Sequence, residues 1–168
     1  GEIHFDGTNL IGRKPNRIAE MGIARTFQTI RLYGDLTALQ NVALGSQFRV
    51  KYGFVPAILR LPAFYKEEER IRKEAMELLT LFKLDNRATT MARNLPYGEQ
   101  RRLEICRALA SNPKLVLLDE PAAGMNPQET GELSRFLRKI RSDLRLSILL
   151  IEHDMRVVMN ISDRVTVL

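Results

Sequence analysis

The sequence predicts an α/β fold in which a mostly parallel sheet is interrupted by an α-helical insert. Three observations carry this. The aliphatic runs Leu115-Val116-Leu117-Leu118, Ile148-Leu149-Leu150-Ile151 and Val165 to Leu168 alternate with helical stretches, and unbroken runs between helices read as parallel strands buried on both faces. From Gln28 to about Asn94 the apolar residues instead recur at helical spacing. Finally, 168 residues with 45% hydrophobic and 27% charged side chains suit one soluble globular domain.

Taken in order, Glu2-Ile3-His4-Phe5 alternates polar and apolar residues before the turn pair Asp6-Gly7. Pro15 to Met21 is a short helix with proline in its first turn and Gly22 just past its end. Ile23 to Phe27 is a candidate strand. The insert holds a helix from Leu36 to Leu44, a Pro-punctuated apolar stretch from Phe54 to Phe64, and an amphipathic helix with Ile71, Ala75, Leu78, Leu79 and Phe82 on one stripe. Helices at Gly98 to Ser111, Pro127 to Arg141 and Asp154 to Ile161 separate the later strands. The second of these is the best signalled, because Asn126 caps it, Pro127 fills its first turn and Glu129 stands at the reciprocal capping-box position.

The net charge of +6, from 26 Lys+Arg against 20 Asp+Glu, is interleaved rather than clustered. In Lys66 to Glu74, Glu68/Arg72 and Glu69/Lys73 are i,i+4 pairs on a solvated face. No aromatic-plus-basic stripe accompanies these charges, so no nucleic acid is expected as a partner. No window approaches 18 uncharged apolar residues and no basic-then-apolar leader opens the chain, which reads as cytoplasmic. Cys106 is the sole cysteine, and with only His4 and His153 available it makes neither an internal disulfide nor a zinc cluster.

Three places carry chemistry. Leu115 to Pro121 is a buried strand delivering two adjacent carboxylates, Asp119 and Glu120, to the carboxyl edge of a parallel sheet, where such folds bind ligands. Neighbours on a strand point opposite ways, so one acid can hold a metal ion while the next addresses a water. The run ending in Glu152-His153-Asp154 brings a second set of ionisable groups to the same edge. Asn94 to Arg102 is a turn opening directly into a helix, whose free amide N–H groups suit a phosphate.

In this order the elements resemble the ATP-binding subunit of an ABC transporter, over nearly the whole chain. A strand ends at the Q-loop glutamine, Gln28. A helical subdomain follows, then a signature sequence (LPYGEQRR, 95 to 102, against the usual LSGGQ), Walker B (LVLLDEP, 115 to 121), the D-loop (AAGMNP, 122 to 127) and the switch histidine (LLIEHDM, 149 to 155). The Tyr-Gly form of the signature, the D-loop and the stretched insert look like the branched-chain amino acid importer type, specifically its longer ATPase subunit.

The resemblance implies a P-loop NTPase-like core in three parts: 1–28, the remainder of the amino-terminal core; 29–97, the helical subdomain; and 98–168, the ATPase core. It implies ATP and Mg²⁺ as cofactors. Asp119 and Gln28 would serve the metal, Glu120 would polarise the attacking water, and His153 would contact the γ-phosphate. Gln28 would also link the site to the transport channel. Leu95, Tyr97, Gly98 and Glu99 of the signature, with Asn126 of the D-loop, would face nucleotide bound by a second ATP-binding subunit, identical or not. Transmembrane permease subunits are the other implied partners, which puts the protein on the cytoplasmic face of the membrane. Their docking site would include the loop Thr29 to Tyr33. The sequence departs from the usual pattern at Pro96, which replaces serine, at Glu99, which replaces glutamine, and at Asn126, which replaces aspartate.

A P-loop, G-x-x-x-x-G-K-[ST], does not occur in these residues. Gly7 to Lys14 imitates the glycine spacing, but Lys14 stands at the hydroxyl position and a cation cannot ligate Mg²⁺. The expectation is a subunit without its P-loop region, inactive alone and prone to self-association. The rival reading is a non-transport ABC-type ATPase acting on nucleic acid or ribosomes, or a binding-only remnant. The long coiled coil or tandem cassette that usually marks the former is not seen here.

Overall fold

The computed structural model describes residues 1–49 and 62–167. It opens with an antiparallel hairpin of β1 (His4–Phe5) and β2 (Thr8–Asn9). Its two turn residues, Asp6 and Gly7, both have positive φ, as a tight hairpin turn requires. The glycine-spaced segment that imitates a P-loop therefore begins in a hairpin turn, and Lys14 stands at the amino-terminal end of α1 (Pro15–Glu20) without capping it.

A three-stranded parallel sheet follows in the order β3 (Ile23–Arg25), β4 (Leu115–Asp119), β5 (Ser147–Ile151). Register pairs Arg25 with Leu117 and Asp119 with Ile151, so the carboxyl ends of all three strands meet at one edge. The first strand is shorter than the sequence suggests. Thr26 still donates its N–H to the Leu117 carbonyl at 2.9 Å, but Phe27 has already turned outward.

Between β3 and β4 lie α2 (Ala38–Gly45), α3 (Pro62–Leu81) and α4 (Tyr97–Leu109). Thr37 and Gln40 form a capping box at the start of α2, a readable signal absent from the sequence-based assignment. The buried Asn41 shapes the turn before it. Its amide donates to the carbonyls of Tyr33, Leu36 and Thr37, and its oxygen accepts from the Tyr33 N–H. The α3 stripe buries Ile71, Ala75 and Leu79, with Leu78 half-buried and Phe82 just beyond the helix buried as well. On its polar face Arg70 pairs with Glu67 and Glu74. The apolar stretch expected from Phe54 onward lies, up to residue 61, outside the described residues.

After β4 come α5 (Pro127–Leu144), with the predicted Asn126/Glu129 capping box in place, and α6 (Met155–Ile161), capped by Asp154. One continuous core runs from Ala38, Val42, Ala75 and Leu79 through Leu103 and Cys106 to Val116, Leu118, Leu133 and Leu137.

Two expectations about the strands need correction. The last aliphatic runs are not buried on both faces: Ile148 and Leu150 pack against the core, but Leu149 and Ile151 are 56% and 58% exposed. β5 is the edge of the described sheet, and the helices cover one of its sides. Val165 to Val167 form no strand, because a strand needs a paired ladder and none of the described strands pairs with them.

Candidate functional site

The carboxyl edge of the sheet gathers Gln28, Asp119, Glu120 and His153. Glu120 is the first residue past β4, and its N–H donates to the Ile151 carbonyl at 2.9 Å, fixing the turn to the neighbouring strand. Its φ of 44° lies in the left-handed region, which a residue with a Cβ adopts at a cost. That conformation swings the side chain toward the loop after β3. There Gln28 Nε2 donates to Glu120 Oε2 at 2.8 Å, and His153 Nδ1 stands 3.4 Å from Oε1. Both carboxylate oxygens of Glu120 thus face polar partners from two other strand ends. His153 is 76% exposed at its side chain, so it reaches Glu120 from the solvent side.

Asp119, the last residue of β4, takes the other direction. Its Oδ2 accepts from Arg25 Nη2 at 3.2 Å, an ion pair across adjacent strands. Arg25 also stacks on Phe27, 5.5 Å from the ring centroid, with Arg31 closer to that ring at 4.3 Å. Among the described residues no group of three or more His, Cys, Asp or Glu could hold a metal ion by itself. The oxygen donors here are the Asp119 carboxylate and the Gln28 amide oxygen, whose own amide nitrogen is committed to Glu120. These are hard oxygens of the kind Mg²⁺ takes, usually one or two carboxylates together with substrate phosphates, with one Asp119 oxygen already shared with Arg25.

Glu152, read from the sequence only as one ionisable group of this edge, plays a bridging part. Its Oε1 accepts from the Ala122 N–H at 3.1 Å and its Oε2 from the His153 N–H at 3.1 Å. It thereby ties the loop after Glu120 to the backbone of His153. Both residues line a pocket of about 340 Å³ bounded by Ala122 to Met125 and the first turns of α5.

The signature residues sit on the same side. Tyr97 donates its hydroxyl proton to the Ala123 carbonyl at 3.0 Å, and a Cβ at Gly98 would lie 3.0 Å from Glu129 Oε1, a tight approach to the end of a side chain. Pro96 precedes α4 and makes no side-chain cap. Leu95 is a core residue, 4% exposed, whose carbonyl accepts from Gln100 Nε2 at 2.8 Å. Glu99 turns toward Arg87, 3.2 Å away, and Asn126 spends its side-chain oxygen capping α5. The structure therefore does not aim Leu95, Glu99 or the Asn126 oxygen at a ligand of their own. Tyr97 and Gly98 remain at the exposed start of α4.

A model of the ABC transporter family matches residues 1–123, nearly three quarters of the chain. The chain belongs to the ABC transporter family. It is 39% identical over 168 residues to the high-affinity branched-chain amino acid transport ATP-binding protein BraF of Pseudomonas aeruginosa, covering 100% of this chain and 66% of the relative. It is 40% identical over 167 residues to LivG of Escherichia coli K12, a protein described in the same words, with coverage of 99% and 66%. The chain thus spans just under two thirds of the length of these relatives. Among solved structures, the ADP conformation of the ABC cassette MJ1267 superposes with a TM-score of 0.76 at 28% identity, covering 96% of this chain and 63% of that one. A dimeric post-hydrolysis state of the cassette MJ0796 bound to ADP and phosphate superposes at 0.75 with 26% identity, covering 95% and 66%. The sheet edge described above is accordingly an edge of an ABC ATPase fold.

Proposed function

We propose that these residues form the hydrolytic edge of an ATP-binding subunit that powers a branched-chain amino acid importer. One observation carries the reading: the Glu120 carboxylate is held between Gln28 and His153 at the ends of three different strands. Phosphoryl transfer asks little covalent chemistry of a protein and much positioning. Glu120 is placed to orient and polarise a water, its two oxygens steadied by Gln28 and by His153. His153, largely exposed, is free to donate to a phosphate oxygen beyond Glu120. Asp119 and the Gln28 oxygen would hold Mg²⁺, which neutralises phosphate charge when bound. Tyr97 and Gly98 at the start of α4 would address the nucleotide of a second ATP-binding subunit. Residues 29–97 would be the helical subdomain, and the protein would lie on the cytoplasmic face of the membrane beside its permease partners.

The substrate reading rests on likeness to the branched-chain amino acid relatives and is tested by transport. Assembled with its permeases, a subunit containing these 168 residues is expected to couple ATP hydrolysis to uptake of leucine, isoleucine or valine. Uptake of an unrelated solute, with no response to those three, contradicts it.

The docking site for the permease divides the loop from Thr29 to Tyr33. Leu32 packs against the core, so it supports the fold. Tyr33 is 58% exposed and faces Arg107, 5.7 Å from its ring centroid, in a groove also lined by Arg25, Leu44 and Gln47. A mixed apolar and cationic groove of this kind suits an amphipathic segment. Tyr33→Glu is expected to leave folding and most ATP turnover intact while abolishing copurification with the permease. Retention of the complex would show that Tyr33 lies outside the interface. Leu32→Glu is expected to lower stability as well, so it does not discriminate.

A further inference from the structure

We propose that the buried ion pair Arg101–Glu104 on α4 is the fastener that holds the Gln28 loop in working position, making Arg101 and Glu104 positioning residues for hydrolysis. The inference rests on the functional reading above and extends it to two residues that touch no reacting atom. Arg101 is 1% exposed and Glu104 is 2% exposed, joined by a hydrogen bond of 3.0 Å from Nη1 to Oε2. Burying a guanidinium and a carboxylate is costly unless their remaining hydrogen-bonding groups find partners. Here those partners are the loop, with Arg101 Nε the one buried group of the pair that has none. Arg101 Nη1 donates to the Phe27 carbonyl at 2.8 Å, Nη2 donates to the Gln28 carbonyl, and Glu104 Oε1 accepts from the Arg31 N–H at 3.1 Å. The loop has no regular structure of its own from Thr26 to Tyr33, so these three bonds stand where a sheet or helix ladder would otherwise fix the backbone.

The same fork reaches the other side of the site. Arg101 Nη2 lies 3.5 Å from the Tyr97 hydroxyl, which is bonded to the Ala123 carbonyl in the loop following Glu120. Gln28 and the loop that follows Glu120 are thus both anchored to α4, and the 2.8 Å bond between Gln28 and Glu120 closes the circuit. The start of α4 is the signature, so a shift of that helix moves the Gln28 backbone with it. An apolar pair filling the same space would keep the packing and release the loop.

The test uses Arg101→Met combined with Glu104→Leu, because swapping both members of a buried pair for apolar residues commonly preserves stability, with Arg101→Lys as the conservative comparison. In the 168-residue chain, hydrogen exchange should show faster exchange of the Arg31 amide in the double variant while α4 stays protected. In a subunit that also carries a P-loop segment, turnover should fall by roughly tenfold to 10², as expected for a misplaced group, with the KM for ATP changed less than about twofold. In a Gln28→Ala background the double swap should cost almost nothing more, since its effect passes through Gln28. Arg101→Lys should recover part of the turnover. Unchanged exchange at Arg31, or a loss that adds in full to that of Gln28→Ala, would overturn the proposal. If the unaltered subunit hydrolyses no ATP, the functional reading fails instead, and the exchange measurement still decides whether the pair fastens the loop.

Discussion

Replacing Glu120 by Gln in a subunit that carries these residues and a P-loop segment is expected to lower ATP turnover by roughly 10² or more, the range typical of a group that manages a proton in the transition state. The substitution keeps length and hydrogen-bonding capacity, so Gln28 and His153 retain a partner of nearly the same shape. What disappears is the negative charge that, in the proposed reading, orients and polarises water. ATP binding should persist, because the proposed reading assigns the phosphates to other groups. Asp119→Asn should act differently and weaken the dependence on Mg²⁺, since the proposed reading gives Asp119 the metal rather than the water. Steady-state phosphate release, with nucleotide binding measured in parallel, separates the two. Turnover within about twofold of the unaltered protein for Glu120→Gln would move the water-activating role to another group.

Gly45→Ala is expected to destabilise the chain by up to about 2 kcal/mol net, although alanine is the better helix former. Gly45 ends α2, where that helix crosses α4. A Cβ there would lie 2.2 Å from the Arg107 carbonyl oxygen and 3.0 Å from the Ala110 Cβ. The obstruction is backbone, which cannot rotate aside, and Ser46 beside it is bonded to the Ala110 carbonyl at 3.2 Å. Forcing the helices apart costs about 1 to 3 kcal/mol or more, which outweighs a propensity gain of about 1 kcal/mol. Gly131, inside α5, supplies the control, because a Cβ there would meet no atom within 4 Å. Gly131→Ala should therefore raise stability by about 0.4 to 1 kcal/mol. Thermal or urea unfolding checks both. Equal and same-signed shifts would mean that the α2–α4 crossing is looser than described.

Elements with long, regular patterns were legible in the sequence. The capping box at Asn126 and the buried stripe of α3 follow from local chemistry and hold in the structure. The candidate residues Gln28, Asp119, Glu120 and His153 were legible because each lies at or within three residues of a strand's carboxyl end, and the parallel register brings those ends together. Residues acting through tertiary contacts were not. Arg101 and Glu104 look like ordinary helix-surface charges three residues apart, and their burial depends on a loop some 73 residues earlier in the chain. One signal was available: both fall among Leu103, Ile105 and Cys106, on a face too apolar for solvated charges. The bridging part of Glu152 was hidden for a related reason, since its two backbone partners, Ala122 and His153, converge only once β4 and β5 are paired. The exposed face of β5 was misjudged because an aliphatic run reports a strand without saying how many of its sides are covered.

The central claim is that Gln28, Glu120 and His153 work on one reacting centre, and a double-mutant cycle on turnover tests it most directly. Single-turnover rates of ATP hydrolysis would be compared for Glu120→Gln, His153→Ala and the combination, in the subunit with a P-loop segment. Groups that act as a unit are strongly non-additive, so the double variant should be little slower than the slower single variant. If the two losses instead multiply in full, Glu120 and His153 serve separate steps, and a single hydrolytic edge is contradicted.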